Sequence, residues 1–131
     1  VRTARARYPH LPFVEGDMAA LNVPDGAWAG AVAFYSLIHL PRAAVPSALG
    51  ELRRVLRPGA PLLVAFHVGD EVRRPDALWG VPVDLAFVFF TADEMRGYLR
   101  AAGFGVEGCE ERDPYPDVEA QTRRAHMVAR A

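Results

Sequence analysis

The hydrophobic pattern of the chain combines short continuous apolar runs with longer stretches in which apolar residues recur every three or four positions. Residues 31–34 and 60–68 are continuous runs without alternation, which is typical of strands covered on both faces of a parallel sheet. A central parallel strand is therefore predicted at 31–34. A shorter apolar run at residues 13–14, closed by Gly16 and Asp17, predicts another brief strand.

The stretches with helical spacing predict two amphipathic helices. The first covers residues 43–56, where apolar side chains recur at intervals of three and four before a Pro-Gly pair ends the helix. The second begins at Thr91, which with Glu94 three residues later has the pattern of a capping box. Gly103 stops this second helix.

The order of the elements predicts the fold class. Two further strands are expected around residues 104–112 and 122–130, with no helix between them. Strands alternating with helices indicate an α/β fold with a mainly parallel sheet, and the last two strands should pair antiparallel at one end of it. Residues 69–90 are interrupted by Gly80 and Pro82 and predict no single regular element.

Composition narrows the class of protein. Of 131 residues, 51% are hydrophobic, 24% are charged and 10% are aromatic, which excludes disorder across the whole chain. Fifteen basic and sixteen acidic side chains give a formal net charge of -1, so the basic footprint of nucleic-acid or anionic-membrane binding is missing. Cys109 is the single cysteine and no apolar stretch reaches the length of a membrane span. We therefore expect one globular cytoplasmic domain.

Ligands of α/β sheets bind beyond the carboxyl ends of the strands, so the side chains directly after the apolar runs are the first candidates for chemistry. They are Asp17 and Met18 after the first run, Tyr35, Ser36 and His39 after the second, and His67 after the third. Asp17 suits either an acceptor for an exocyclic amine or the cap of a turn. His39 suits either a general base or a packed side chain.

Aromatic residues late in the chain also allow two interpretations. Trp79, Phe87, Phe89 and Phe90 either wall an apolar ligand pocket or belong to the core. The histidines lack the spacing of a metal site, so no metal is expected. Because glycines occur singly, no phosphate-binding loop is present in the sequence.

Four segments, taken in order, carry a family resemblance. FVEGDMAALNVP, GAVAFYSLIHLP, ELRRVLRPGAPLLVAFH and FFTADEMRGYLRAAGF resemble the later motifs of class I S-adenosylmethionine-dependent methyltransferases of the small-molecule type. The resemblance runs over nearly the whole chain. It implies a Rossmann-like sheet of strand order 3-2-1-4-5-7-6, mostly parallel with the last strand antiparallel, of which this chain carries the carboxyl-terminal portion.

The same resemblance implies a set of cofactor-binding residues for S-adenosylmethionine. Asp17 matches the residue whose carboxylate holds the exocyclic amine of adenine, and Met18 matches the residue that holds adenine through its main-chain amide. Ala33, Phe34 and Tyr35 match positions that lie beside the methionine part of the cofactor.

The acceptor side of the site is predicted at the neighbouring positions. The resemblance places His39 facing the methyl acceptor, where some family members have a base, and His39 is our predicted catalytic residue. The predicted substrate pocket consists of Ser36, His67, Trp79 and Phe87.

The sequence also departs from the family pattern. The family usually has an acidic residue just before the strand at 31–34, whereas this chain has Ala29 and Gly30. The glycine-rich first loop and the acidic residue after the second strand do not appear either. Residues 1–7 suit the last turns of a helix. We therefore expect a single domain over residues 1–131 that lacks its first strand-helix-strand unit and is inactive by itself.

The expected function is transfer of a methyl group from S-adenosylmethionine to a small, largely apolar acceptor at oxygen, nitrogen or carbon. Such an in-line displacement can draw much of its catalysis from positioning. The alternative is a noncatalytic domain that uses the cleft for another ligand or for protein interaction. The expected partner is a small-molecule acceptor, with a homodimer also compatible, and neither nucleic acid nor membrane is expected.

Overall fold

The computed structural model describes residues 1–131, which form eight β-strands and three α-helices. The strands are β1 (Ala31–Phe34), β2 (Pro61–His67), β3 (Val72–Arg73), β4 (Ala77–Leu78), β5 (Val81–Pro82), β6 (Phe87–Val88), β7 (Gly105–Arg112) and β8 (Arg124–Arg130). The helices are α1 (Arg2–Arg7), α2 (Val45–Val55) and α3 (Ala92–Ala101), with 3-10 turns at Leu37–His39 and Arg42–Ala44. None of the helices has the length and apolar character that crossing a membrane requires.

Four of the strands form the main sheet, in the order β1-β2-β8-β7. β1 and β2 are parallel, and β8 lies antiparallel between β2 and β7. Three strands therefore run in one direction and the last strand in the other. This confirms the predicted Rossmann-like arrangement, because the last two strands lack the helical crossover that parallel pairing requires.

The helices α2 and α3 pack beside each other over one face of this sheet. Their apolar stripes meet the core-facing side chains of β2, which are Leu62, Val64 and Phe66. The hydroxyl of Thr91 accepts the N–H of Glu94 at 3.1 Å, so the predicted start of α3 is confirmed. The Glu94 carboxylate does not complete the capping box, since it pairs with Arg42 at 2.9 Å.

Two strand predictions are wrong in detail. Residues 13–14 form no strand, because no neighbouring backbone pairs with them, and Val14 is exposed. β1 is an edge strand and not a central one, and the side chains of Val32 and Phe34 on its second face are exposed. The apolar pattern correctly predicted a strand at β1, but sheet position depends on which segments pair with it.

The irregular segment 69–90 forms two small antiparallel pairs, β3 with β6 and β4 with β5. Trp79 and Gly80, which connect β4 to β5, both have positive φ values of 50° and 77°, as two-residue hairpin turns of type I′ require. Arg42 fastens this segment to the domain by donating hydrogen bonds to the carbonyls of Asp70 and Phe89. The segment therefore lies folded against the carboxyl end of β2.

Candidate functional site

An open cavity of about 670 Å³ lies beside β1, and we call it the β1 cavity. Its lining is mostly apolar and includes Met18, Leu21, Trp28, Ala33 and Leu52, together with the hydroxyl side chain of Ser36. Three of the sequence-predicted residues, Met18, Ala33 and Ser36, are therefore brought together here. The cavity offers apolar surface with few polar groups, as is usual for sites that take a flat organic ligand.

Asp17 lies in the turn next to Met18. Its Oδ1 accepts the N–H of Ala19 at 2.8 Å, which makes it the cap of a turn, and its second carboxylate oxygen has no hydrogen-bond partner in the structure. The following loop is held to α2, because Leu21 donates its N–H to Glu51 at 2.7 Å. Arg54 binds the same Glu51 carboxylate and holds its pKa below the usual range. The turn is thus fixed with one carboxylate oxygen available.

The end of β1 carries the other predicted cofactor residues. Ala33 is buried and Phe34 is exposed, with its ring 4.9 Å from that of Tyr35. Tyr35 has a φ of 49°, which is a left-handed conformation that costs a non-glycine residue free energy and persists where the surroundings enforce it. Its N–H donates to the carbonyl of Ala65 at 3.0 Å, and its ring lies 5.0 Å from the ring of His67.

A second cavity of about 480 Å³ lies beyond the carboxyl end of β2, and we call it the His67 cavity. Its walls come from the end of β2, the folded segment 69–90 and the loop before β8. The nine lining residues are His67, Arg73, Arg74, Pro75, Leu78, Phe87, Phe89, Ala120 and Thr122. The cavity therefore combines aromatic and aliphatic walls with two guanidinium groups, one imidazole and one hydroxyl.

The His67 ring is fixed from three sides. Its Nδ1 lies 2.8 Å from the hydroxyl of Thr122, and both side chains are buried. The ring of Phe89 is stacked on the imidazole at 5.1 Å, and Tyr35 contacts it at 5.0 Å. The imidazole is consequently held in one orientation at the wall of the cavity.

Burial and positive charge keep the His67 imidazole neutral. Desolvation, together with the positive charges of Arg124 and Arg73, lowers its pKa to about 4. No group of three His, Cys, Asp or Glu side chains in the structure could hold a metal ion. The imidazole is therefore available as a neutral hydrogen-bonding group at physiological pH.

Arg124 lies behind the cavity with its side chain almost completely buried. It donates to the Tyr35 hydroxyl and to the carbonyl of Ala120, both at 3.0 Å. Its Nε lies 3.0 Å from Glu119 Oε2 but is poorly aligned for a hydrogen bond. A hydrogen bond from Arg112 lowers the pKa of Glu119 to about 2, so this carboxylate is charged and compensates Arg124. The network ties β8 to the strained end of β1.

The structure separates the predicted acceptor residues. His67 and Phe87 line the His67 cavity, whereas Ser36 lines the β1 cavity. Trp79 lies outside both cavities and is 97% exposed at the tip of its hairpin. His39 is exposed, with Nδ1 3.1 Å from the carbonyl of Ala86 and its ring 4.9 Å from that of Phe87. His39 adjoins the wall of the cavity without lining it, and its catalytic role stays a prediction.

Sequence reasoning missed four residues of this region, namely Arg73, Thr122, Arg124 and Glu119. Arg73 belongs to a charged stretch, and the others lie around the start of the last strand, where no local pattern marks them. One signal was available: polar residues next to or within a strand predicted to be buried need a partner. That signal identifies Arg124, although it does not say which residue pairs with it.

Comparisons with known proteins agree with this arrangement. Residues 1–59 match a family model described as a methyltransferase domain. A 2-phytyl-1,4-naphtoquinone methyltransferase from Synechocystis is 38% identical over 66 residues, which is 48% of this chain and 27% of the relative. The crystal structure of Burkholderia thailandensis 1,6-didemethyltoxoflavin-N1-methyltransferase, with its substrate and S-adenosylhomocysteine bound, superposes with a TM-score of 0.76 at 22% identity. The overlap covers 98% of this chain and 54% of that one.

The chain has the Rossmann-like methyltransferase fold. The resemblance to S-adenosylmethionine-dependent methyltransferases is thereby confirmed. A [4+2]-cyclase named SpnF superposes with a TM-score of 0.71 at 22% identity, over 98% of this chain and 60% of the cyclase. The chain thus spans about a quarter of the curated relative and a little over half of these two solved structures.

The buried His67 of this methyltransferase fold should make its stability depend on pH. Because the folded pKa of about 4 lies below the ordinary value of 6.5, stability is fully present above pH 6.5 and is lost as the pH falls towards 4. We expect a loss of about 2 kcal/mol from this group, after allowing for partial screening by water in the cavity.

Urea unfolding of the full protein at a series of pH values measures this loss, with His67→Phe as the comparison. The variant should show a flatter dependence between pH 6.5 and 4.5. The pKa of Glu119 is lowered from its ordinary value of 4.5, so this carboxylate changes the stability only at pH values below 4.5, outside this window. An identical slope for both proteins would contradict the assigned burial of the imidazole.

Proposed function

We propose that the chain is the part of an S-adenosylmethionine-dependent methyltransferase that holds the adenine and methionine ends of the cofactor and a small-molecule acceptor. The observation that carries the proposal is the position of Tyr35, at the end of β1, between residues of two separate cavities. Ala33 and Ser36 line the β1 cavity, while Tyr35 between them contacts His67 of the second cavity. A cofactor in the first cavity and an acceptor in the second would lie on either side of Tyr35.

The residues beside β1 suit the cofactor chemically. The free carboxylate oxygen of Asp17 can accept from the exocyclic amine of adenine, and Met18 and Leu21 offer apolar surface to its ring. Ala33 has a small side chain where the methionine part would approach the sheet. When bound, the cofactor supplies an electrophilic methyl group on a sulfonium sulfur.

The other cavity supports an acceptor that is apolar at its centre and polar at one end. Pro75, Leu78, Phe87 and Phe89 form its apolar walls. Arg73 lies over the Phe89 ring at 4.5 Å and pairs with the exposed Glu71 at 2.7 Å. These contacts fix the walls, so much of the rate acceleration can come from holding the acceptor atom in line with the methyl group.

We further propose that a strand pairs with the free edge of β1 in the full protein and that helices cover its second face. The unpaired backbone of β1 and the exposed Val32 and Phe34 support this, because an apolar strand edge left open promotes aggregation. The single domain formed by residues 1–131 would then be one part of a larger sheet.

Calorimetric titration of the full protein with S-adenosylhomocysteine tests the proposed function, and we expect binding. Asp17→Asn keeps an oxygen for the turn but replaces the other carboxylate oxygen by an amide. It should weaken binding about 10- to 100-fold, since a charge-assisted hydrogen bond is lost.

Asp93→Ala is the matched control, because Asp93 is an exposed carboxylate in the first turn of α3 that pairs with Arg96 and lines neither cavity. It should keep the wild-type affinity. Unchanged binding in Asp17→Asn would place the adenine elsewhere. Absence of binding by the full protein would reject the methyltransferase proposal and favour the alternative, a noncatalytic domain or, as the similarity to a cyclase suggests, different chemistry on this fold.

A further inference from the structure

His67 has one ring nitrogen whose hydrogen-bonding capacity is unused. Nδ1 contacts Thr122, whereas Nε2 has no hydrogen-bond partner in the protein. The one buried side-chain polar atom without a partner is Nε of Arg124, so Nε2 of His67 is not sealed from solvent. Since the imidazole lines the His67 cavity, the free nitrogen is open to whatever that cavity holds.

The contacts of Thr122 are compatible with a tautomer of the imidazole that carries its proton on Nδ1. The Thr122 hydroxyl lies 3.4 Å from the carbonyl of Ala120 and can donate only one proton. When it donates to that carbonyl, it accepts from Nδ1–H of His67, and the proton of the neutral ring then lies on Nδ1. In that tautomer Nε2 keeps a free lone pair that no protein group occupies.

The charged surroundings maintain this neutral state over the working pH range. The titratable or charged groups around the imidazole are Tyr35 and His39 after β1, Arg73 in β3, Arg124 in β8 and Glu119 in the loop before β8. Burial has the largest effect on the pKa of the ring, and the positive charges of Arg73 and Arg124 outweigh the negative charge of Glu119. Protonation of the imidazole is therefore disfavoured. A neutral ring keeps one nitrogen that can accept a proton, which a protonated ring lacks.

We propose that His67 is a catalytic residue that touches the methyl acceptor, and that this acceptor is a planar aromatic molecule with a hydroxyl or ring N–H directed at Nε2. The inference rests on the proposed methyltransferase function and deepens it. The aromatic walls of Phe87 and Phe89 select a flat ring, and the free imidazole nitrogen selects a proton donor on it. Thr122 is a positioning residue that sets the tautomer.

The proposed reaction combines transfer of the methyl group with transfer of the acceptor proton to His67. The electron pair of the acceptor oxygen or nitrogen forms the bond to the methyl carbon, the carbon–sulfur bond breaks with its pair remaining on sulfur, and the acceptor proton moves to Nε2. A weak base suffices, because the acceptor atom becomes strongly acidic as its new bond forms. The proton can then leave to solvent through the open mouth of the cavity.

The test compares two probes, 1-naphthol and 1-methoxynaphthalene, in which a methyl group replaces the hydroxyl proton, on the full protein with 15N-labelled histidine. We expect 1-naphthol to shift the Nε2 resonance of His67 and to bind about 5- to 10-fold more tightly than the methoxy probe, as one added hydrogen bond predicts. This measurement needs no variant. An unmoved Nε2 resonance, or equal affinities, would overturn the proposal.

Substitutions test which residue causes the preference for 1-naphthol. His67→Phe keeps an aromatic ring between Tyr35 and Phe89 and should abolish the preference for 1-naphthol. Thr122→Val should reduce it, and Thr122→Ser should restore it because the hydroxyl returns. A preference that survives in His67→Phe, or that is lost in His39→Gln instead, would remove His67 from this role.

Titration with S-adenosylhomocysteine separates this inference from the proposed function. Cofactor binding without discrimination between the probes would reject His67 alone. Discrimination without cofactor binding would reject the methyltransferase function and leave a site for aromatic proton donors. Loss of both cofactor binding and discrimination between the probes would reject the methyltransferase function and the role of His67 together.

Discussion

Replacing Arg124 by methionine is expected to lower the free energy of unfolding by about 3 kcal/mol, which is typical of removing one member of a buried charged network. Methionine keeps an unbranched apolar side chain but lacks the guanidinium group. Tyr35 would lose the donor to its hydroxyl, Ala120 one of the donors to its carbonyl, and Glu119 one of its two neighbouring positive charges. Urea unfolding of the full protein measures the loss.

Arg123→Met provides a matched control for that measurement. Arg123 is adjacent in the chain and also pairs with a glutamate, Glu111, at 3.1 Å, but its side chain is 57% exposed. Such surface pairs contribute about 0–1 kcal/mol. If the two variants lose the same stability, Arg124 is not part of a buried network. A functional consequence should accompany the loss, because Arg124 supports the Tyr35 conformation next to His67.

Replacing Leu62 by alanine should have a comparable effect, a loss of about 2–5 kcal/mol from the cavity and the lost apolar contact. Leu62 is completely buried in β2, between Ala31 of β1 and Ala129 of β8, and faces the helices. The change removes a side chain on which both neighbouring strands pack. The loss of stability is again measured from the midpoint and slope of urea unfolding.

Leu85→Ala is the comparison, because Leu85 is 40% exposed in the segment over the His67 cavity. Its loss should stay below about 1 kcal/mol, as for most surface substitutions. A small effect of Leu62→Ala would mean that β2 is not the centre of the core. Taken together, the two pairs of variants test the buried network and the apolar core separately.

Much of the fold follows from local periodicity. The three- and four-residue spacing of apolar side chains correctly predicted α2, and Thr91 correctly predicted the start of α3. The apolar runs predicted β1 and β2, and the missing helix between β7 and β8 predicted their antiparallel pairing. These features need only short stretches of sequence, because hydrogen-bonding period and side-chain direction are properties of neighbouring residues.

The candidate site was predictable in part. Met18, Ala33 and Ser36 do lie together, and His67 and Phe87 share a second cavity. Trp79 is an aromatic residue of the type that lines pockets, but it lies at an exposed hairpin tip. The brief strand expected at residues 13–14 was wrong. A short apolar run does not show whether another strand is available to pair with it, and in the structure none is.

The sequence by itself determined the order of the main helices and strands, since each of these elements depends on residues a few positions apart. Only the tertiary structure decided that His67 meets Thr122, 55 residues away, and that Arg124 reaches Tyr35, 89 residues away. Both contacts follow from the register that pairs His67 of β2 with Arg124 of β8. Register is set by packing over the whole sheet, and a shift of β8 by one residue would turn Arg124 to the opposite face.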